Sequence, residues 1–446
     1  MAEGGAPGWY GRPHPLAEQL EPAALAILLA FVFTLIGHVP DWLGQLGRYQ
    51  ALMLVAFAAY GMAAGLRHRW RALPRSGTFV VLVALALRAA VIPVTPSLSD
   101  DVYRYAWEGR VIAGGGNPYA HAPADPALAR FRDIEIHPRV NHPELRAIYP
   151  PVAELGFALV ARVWCSLLAF KLWVLLHDMA LCALLAWWCR RRGGSAWDAL
   201  VYAWNPLVVA EYAGSAHHDP TGIFWLVAAL ALAERRPLAS AGAAIAAVLV
   251  KLVALPALPF VARAWPVRVR VVSALVLVAA LAGYVAAAHG PASGLEAFAN
   301  HWRHNDALYG LLSGPWGEHS ARLVVACAVS ALMLFAWIRQ LSTVHATRLL
   351  LRAGLLMGPV VHPWYLGWVL ALEPVGSSTY SAVWLLLSCT VMLGYGAFAR
   401  PAEGGAYHPP LAWRLVEYGL PLLLAVALWL TRRVRRAAHG TGPTPE

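Results

Sequence analysis

Apolar stretches dominate the chain, at about 22–38, 49–66, 77–95, 166–189, 198–214, 220–233, 237–262, 271–288, 321–338, 349–373, 378–397 and 411–430. Most approach the roughly 20 apolar residues that carry a helix across a bilayer. Arginine gathers between them: Arg67, Arg69, Arg71 and Arg75; Arg190, Arg191 and Arg192; Arg235 and Arg236; Arg263, Arg268 and Arg270; Arg432, Arg433, Arg435 and Arg436. Such groups mark the cytoplasmic side. They agree on one topology when the 237–262 and 349–373 runs each cross as two short helices. Both runs hold internal prolines, Pro256 and Pro259 in one, Pro359 and Pro363 in the other. Broken helices are tolerated at membrane depth where they face a cavity. The pattern predicts an all-α polytopic membrane protein of about 12–14 crossings with cytoplasmic termini. It forms a single integral-membrane domain over 1–446.

Two long loops, at 96–148 and 289–320, then face the extracytoplasmic side. The first holds six arginines and seven acids, and long polar segments translocate largely regardless of charge. Within it, Val102, Tyr105, Ala106, Gly109 and Ile112 share one face, which predicts an amphipathic surface helix over 102–112. Gly114, Gly115 and Gly116 end that helix, and Asn117-Pro118-Tyr119 turns the chain. Pro150 and Pro151 open a second short helix at about 151–163.

Composition sharpens this reading. The chain is 59% apolar and 13% charged, against about 25% charged in soluble proteins. A water-soluble enzyme, a disordered chain and a disulfide scaffold are excluded. The net charge of +11 comes from 35 Lys and Arg over 24 Asp and Glu. Because those cations cluster in short loops, they orient a membrane protein rather than bind nucleic acid. Cys165, Cys182, Cys189, Cys327 and Cys389 lack metal-ligand spacing and read as small core residues without disulfides. The first twenty residues are mixed in charge, and no small-residue cleavage site clearly ends the first apolar run, which predicts a retained signal anchor.

Few residues carry chemistry. Asp100 and Asp101 follow the third apolar run; Ser99 or Asp100 can cap the next helix while the neighbouring carboxylate serves as a general base. His217, His218 and Asp219 lie at an outer helix end. They read as interfacial polar residues, as titratable site groups or as metal ligands, although adjacent histidines point to different helix faces and serve one ion poorly. Lys251 sits inside an apolar run with no acid near it in sequence. It either snorkels to an interface or marks a site for a phosphate or carboxylate. Arg88, Glu154, Asp178 and Glu211 read as structural pairs. Near the break of the 349–373 run, His362 stands beside Trp364 and Tyr365, as aromatic-belt anchors or as walls of a sugar cavity.

Ser99-Asp100-Asp101-Val102-Tyr103-Arg104-Tyr105-Ala106-Trp107-Glu108-Gly109-Arg110, followed by Gly116-Asn117-Pro118-Tyr119, resembles the first outer loop of GT-C superfamily membrane glycosyltransferases, in particular the bacterial and archaeal mannosyltransferase-like proteins. Ile148-Tyr149-Pro150-Pro151, Gly214 to Asp219, Lys251 and His362-Pro363-Trp364-Tyr365 extend the resemblance over about 77–370. It implies an inverting hexosyltransferase, mannose favoured. The donor would be a polyprenyl-phosphate sugar, the acceptor a hydroxyl of an envelope glycan, glycolipid or protein, and the site would open on the extracytoplasmic side of the plasma membrane.

Under the resemblance, Asp100 or Asp101 is the base, and Lys251, Arg104 and Arg303 hold the donor phosphate. His217, His218, Asp219, Tyr103, Trp107, His362, Trp364 and Tyr365 line the substrate cavity. No cofactor and no metal ligand set is expected, a divalent cation remaining an option, and no nucleic acid is a partner. The rival expectation is a secondary transporter of a small anionic or sugar substrate, which would also use broken helices and an intramembrane lysine.

Overall fold

The computed structural model describes residues 15–376, 378, 380–396 and 411–439. The ends of the 1–446 span, the first fourteen residues of the expected anchor and residue 397 lie outside the described residues. Among the described residues, thirteen helices of ten or more residues organise the fold: α1 (Pro15–Gly37), α2 (Leu46–Leu66), α3 (Ser76–Val91), α4 (Asp101–Ala113), α5 (Pro151–Trp164), α6 (Leu167–Arg191), α7 (Asp219–Leu232), α8 (Pro237–Val250), α9 (Val267–Ala288), α10 (Leu308–Ile338), α11 (Thr343–Met357), α12 (Ser381–Thr390) and α13 (Leu411–His439), with shorter helices and turns between them. Among the described residues, six helices, of 18 to 31 residues, are long and apolar enough to cross a membrane. The other apolar runs form shorter or interrupted helices rather than separate full-length crossings. Val271, Val272, Leu275, Val276 and Val278 of α9 are exposed, which suits lipid and not water. The molecule is an all-α polytopic membrane protein.

Three apolar runs break for identifiable reasons. The 198–214 run is cut at Asn205-Pro206 and ends in a π turn, Ala210–Gly214. The 237–262 run stops at Lys251, whose backbone is extended (φ −156°, ψ 125°), and continues as a 3₁₀ turn over Leu252–Ala257. Pro256 and Pro259 lack the N–H that an uninterrupted helix would need. The 349–373 run halts at Met357. His304 then pairs with Val360 in an isolated parallel bridge, Val361 N donating to His304 O at 2.8 Å.

α4 differs from its expectation. It is buried on nearly every side rather than along one stripe, Tyr103, Arg104, Trp107 and Glu108 included. α5 lies so close that a Cβ on Gly109 would stand 2.4 Å from Phe157 O, so only glycine fits there. The loop after α4 covers the other side. Gly115 (φ 81°) ends the helix as expected, Gly116 N donating to Val111 O at 2.8 Å. Cys182 and Cys189 are buried as predicted, whereas Cys327 is exposed on α10 and is no core residue.

Charged groups inside the bundle are mostly spent on structure. Arg88 Nε donates to Asp178 Oδ2 at 2.6 Å, and Tyr202 OH donates to Asp178 Oδ1 at 2.8 Å. Lys171 caps the chain after α3, donating to Val94 O at 2.5 Å. Glu154 departs from its expected role: its buried carboxyl faces a second acid, Glu108, rather than pairing with a cation. At one end of the bundle Arg67 and Arg71 meet Asp198 at 3.3 and 3.7 Å. At the other the two long loops join, Arg146 N donating to Ala292 O at 2.8 Å and the His142 and Trp302 rings meeting edge to face at 4.5 Å.

Removing one partner of a buried ion pair leaves an uncompensated charge and costs about 3–5 kcal/mol. Arg88→Met and Asp178→Leu should each lower the thermal midpoint of the detergent-purified protein sharply. The double variant should recover most of the loss, which a melting series checks.

Candidate active site

The loop-joined end gathers acids, imidazoles and one ammonium. Asp100 precedes α4 and Asp101 opens it. Ser99, not Asp100, supplies the cap, its Oγ accepting from Asp101 N at 3.2 Å. Asn141, forty residues on, bridges the two carboxylates, donating to Asp100 Oδ1 at 2.9 Å and Asp101 Oδ1 at 2.8 Å. Partial desolvation and the Asp101 charge push the Asp100 carboxyl above its ordinary value. Burial pulls Asp101 the same way, but His217, Asn141 and Lys251 outweigh it and leave Asp101 below the ordinary carboxylate value. The two adjacent acids are thus shifted in opposite directions, and Asp101 is the more readily ionised of the two.

His217 faces Asp101. Its Nδ1 stands 3.6 Å from Asp101 Oδ2 and its Nε2 3.5 Å from Glu211 Oε2. The turn that carries it is strained. After the π turn, Ala216 adopts a left-handed backbone (φ 63°) while fully buried, a conformation that costs an alanine roughly 1–2 kcal/mol. Strain held by its surroundings concentrates at functional sites. His217 also ends a column of rings: it stacks on Trp364 at 3.6 Å, Trp364 on His362 at 4.2 Å, and His362 on His304 at 4.4 Å. The column joins the second long loop and the broken 349–373 run to the turn before α7, whose His217 faces Asp101 of the first loop. His218 turns instead into an aromatic box, meeting Tyr105, Tyr149 and Phe157 edge to face.

Lys251 projects from the break after α8 onto Asp219, the first residue of α7, at 2.7 Å. Trp368 Nε1 donates to the same Asp219 Oδ1 at 2.7 Å. The ammonium lies 4.2 Å above the Tyr365 ring. Its side chain is 19% exposed, against 0% for Asp219, so the cation alone of this pair opens outward.

Other sequence candidates lie elsewhere. Arg104 is not free to hold a ligand phosphate. It donates to Glu108 Oε1 at 2.6 Å and to the carbonyls of Asn141, His142 and Leu145 at 3.0, 2.9 and 2.7 Å, so it clamps the loop. Arg303 is occupied by Asp306 and Glu318, each at 2.5 Å. Tyr103 turns to Arg139, whose Nη1 donates to its hydroxyl at 2.7 Å. Trp107 packs on His137 at 4.8 Å in the loop's own core. Neither lines the cluster. Sequence reasoning missed Asn141, Trp368 and Tyr395, and it left Glu211 as a structural pair. Glu211 accepts from Tyr395 OH at 2.6 Å. These contacts join residues up to 184 positions apart, which no local spacing reveals. Among the described residues no group of three or more His, Cys, Asp or Glu is gathered as a metal site.

A model of the family described as Alpha-(1->6)-mannopyranosyltransferase, N-terminal domain, matches residues 33–268, just over half of the chain. The match spans Asp101, His217, Asp219 and Lys251 and stops short of His304, His362 and Trp364. No curated protein and no solved structure matches.

Because Arg104 carries the loop that presents Asn141, Arg104→Leu should loosen residues 139–146. Limited trypsin digestion followed by mass spectrometry should then show faster cleavage after Arg139 and Arg146 than in the wild type. Unchanged cleavage would contradict the clamp.

Proposed function

Because the chain belongs to the alpha-(1->6)-mannopyranosyltransferase family, a GT-C-type mannosyltransferase family, we propose that it moves mannose from a polyprenyl-phosphate donor to a hydroxyl of an envelope glycan, glycolipid or protein, with inversion. Family membership makes the chain a membrane glycosyltransferase, and the transporter alternative draws no support from it. The proposed site opens on the extracytoplasmic side of the plasma membrane, at the end where the two long loops meet. That end lies away from Arg67, Arg71 and Arg190–Arg192, the arginine groups that mark a cytoplasmic face.

The observation that carries the reading is the placement of Asp101 and Lys251 in one cluster, near enough for the ammonium to act on the carboxylate without touching it. They lie far apart in sequence and belong to one cluster through His217 and Asp219. In the proposed step Asp101 accepts the proton of the acceptor hydroxyl as its oxygen bonds to the anomeric carbon. The bond from that carbon to the phosphate oxygen breaks on the opposite face, and the lipid phosphate leaves with the electron pair. The phosphate departs as a stable anion, so no acid is required. Lys251 answers its charge in a site where little water competes. One ammonium N–H holds Asp219, and the others remain for a phosphate oxygen. Trp364 is sandwiched between His217 and His362, so the partly exposed Tyr365 ring beside Lys251 is the aromatic surface that suits the C–H face of a hexose.

General bases contribute about 10²–10⁴-fold to rate. Asp101→Asn, which preserves shape, should lose turnover by that factor with a synthetic short-chain polyprenyl-phosphate mannose and octyl α-mannoside as acceptor, while donor affinity stays unchanged. Product is read as a hexose mass gain. Lys251→Met paired with Asp219→Asn, which leaves no buried charge alone, should instead weaken donor binding. Wild-type turnover in Asp101→Asn overturns the base assignment.

A further inference from the structure

The residues around His217 constrain both its ring and its protons. Its ring is fully buried and lies between two carboxylates, one facing each nitrogen. A neutral imidazole has one N–H and one lone pair. With Glu211 ionised, only the imidazolium avoids setting a lone pair against an anion. With Glu211 protonated, its Oε2–H serves Nε2 instead. Tyr395 OH already occupies Oε1 and leaves Oε2 for the ring. In either state Nδ1 carries its hydrogen toward Asp101.

Three further contacts fix the ring. It stacks on Trp364 with 14° between planes. His217 N donates to Glu211 O at 3.1 Å. Tyr212 OH donates to Trp364 O at 2.8 Å. The separations of 3.6 and 3.5 Å exceed a hydrogen bond by a few tenths of an ångström, the slack expected before substrate closes a site.

We infer that His217 is a positioning residue for the base rather than a sugar ligand: Glu211 and Tyr395 hold its Nδ1–H toward Asp101, which keeps that carboxylate ionised and in one rotamer. The assignment rests on the transferase reading with Asp101 as base. It gives Glu211 and Tyr395, remote from any reacting atom, a role in setting the pH at which the enzyme works. Other groups act on the same carboxylate: Asp100, Asn141 and Tyr105 from the first loop and α4, Asp219 and His218 at the start of α7, and Lys251 after α8. Tyr149 and Tyr365 act on it as well, while His362 lies behind Trp364. None of them changes when His217 is replaced.

The test is the pH dependence of kcat/KM for the full-length protein in nanodiscs, with the same short-chain donor and octyl α-mannoside. His217→Phe keeps the stack and removes both ring nitrogens. Without the donor the Asp101 carboxyl titrates higher, so the acid limb should move up by about one pH unit. Activity should fall about tenfold at the acid end and recover as pH rises. His217→Asn, which retains an N–H, should shift the limb less. Glu211→Gln, whose amide can donate to Nε2, should shift it less than Glu211→Leu. A wild-type acid limb in His217→Phe overturns the inference, as does a pH-independent loss accompanied by a raised KM for donor or acceptor, the mark of a substrate ligand. Should His217→Phe fail to fold, the Glu211 pair decides alone, and equal limbs in the two variants overturn the inference. Full turnover in Asp101→Asn would remove the base itself, whereas an inactive Asp101→Asn beside an unshifted His217→Phe removes only the positioning role.

Discussion

A positive charge set among apolar helices must find oxygen partners or be driven out; Lys171 finds carbonyls, and Lys251 finds the carboxylate of Asp219. Much of the surrounding architecture follows from that requirement. The lysine stands where α8 stops because the prolines beyond it cannot continue a helix, and the aspartate is the first residue of α7. Their contact fixes the top of the α7–α8 pair. It thereby fixes the turn before α7, where His217 and His218 diverge toward different neighbours. Trp368 closes the same carboxylate from the far side of the cluster. Loss of either charge would leave its partner buried alone, a defect that costs several kcal/mol.

The first long loop is held by a different logic. α4 is not a helix floating on a membrane surface but the core of a small polar-capped unit. Gly109 lets α5 approach, Arg104 gathers the carbonyls of the returning loop, and that loop delivers Asn141 to the two aspartates. Asp101 is therefore fixed by a helix start on one side and by a loop residue forty positions later on the other. A carboxylate held this way is pre-oriented before any substrate arrives, which is what the proposed general-base role would gain most from.

Much of the helical layout was legible because apolar runs, proline breaks and glycine stops are local signals. The ends of α4 and α5 and the break near Lys251 followed from them. The burial of α4 was not legible. Its one-sided pattern reads as amphipathic, whereas Arg104 and Glu108 are internal because they neutralise one another and serve a loop. For the site, Asp101, His217, Asp219, Lys251, His362 and Trp364 were visible as unusual residues, and the fold does bring them together. Arg104, Arg303, Tyr103 and Trp107 looked equivalent in sequence, yet each is taken by a partner that only tertiary structure supplies. Tyr395, Trp368 and Asn141 carry no local mark at all.

The ring column splits authorship of the cluster. The acid, the ammonium and His217 come from the stretch shared with the family, while His304, His362 and Trp364 come from the remainder of the polypeptide. Trp364 and Tyr395, which fix His217, and Trp368, which bonds Asp219, also come from that remainder. The two parts of the polypeptide therefore share one set of contacts, and a change in the later segment reaches the acid-bearing side through the rings and the indole N–H.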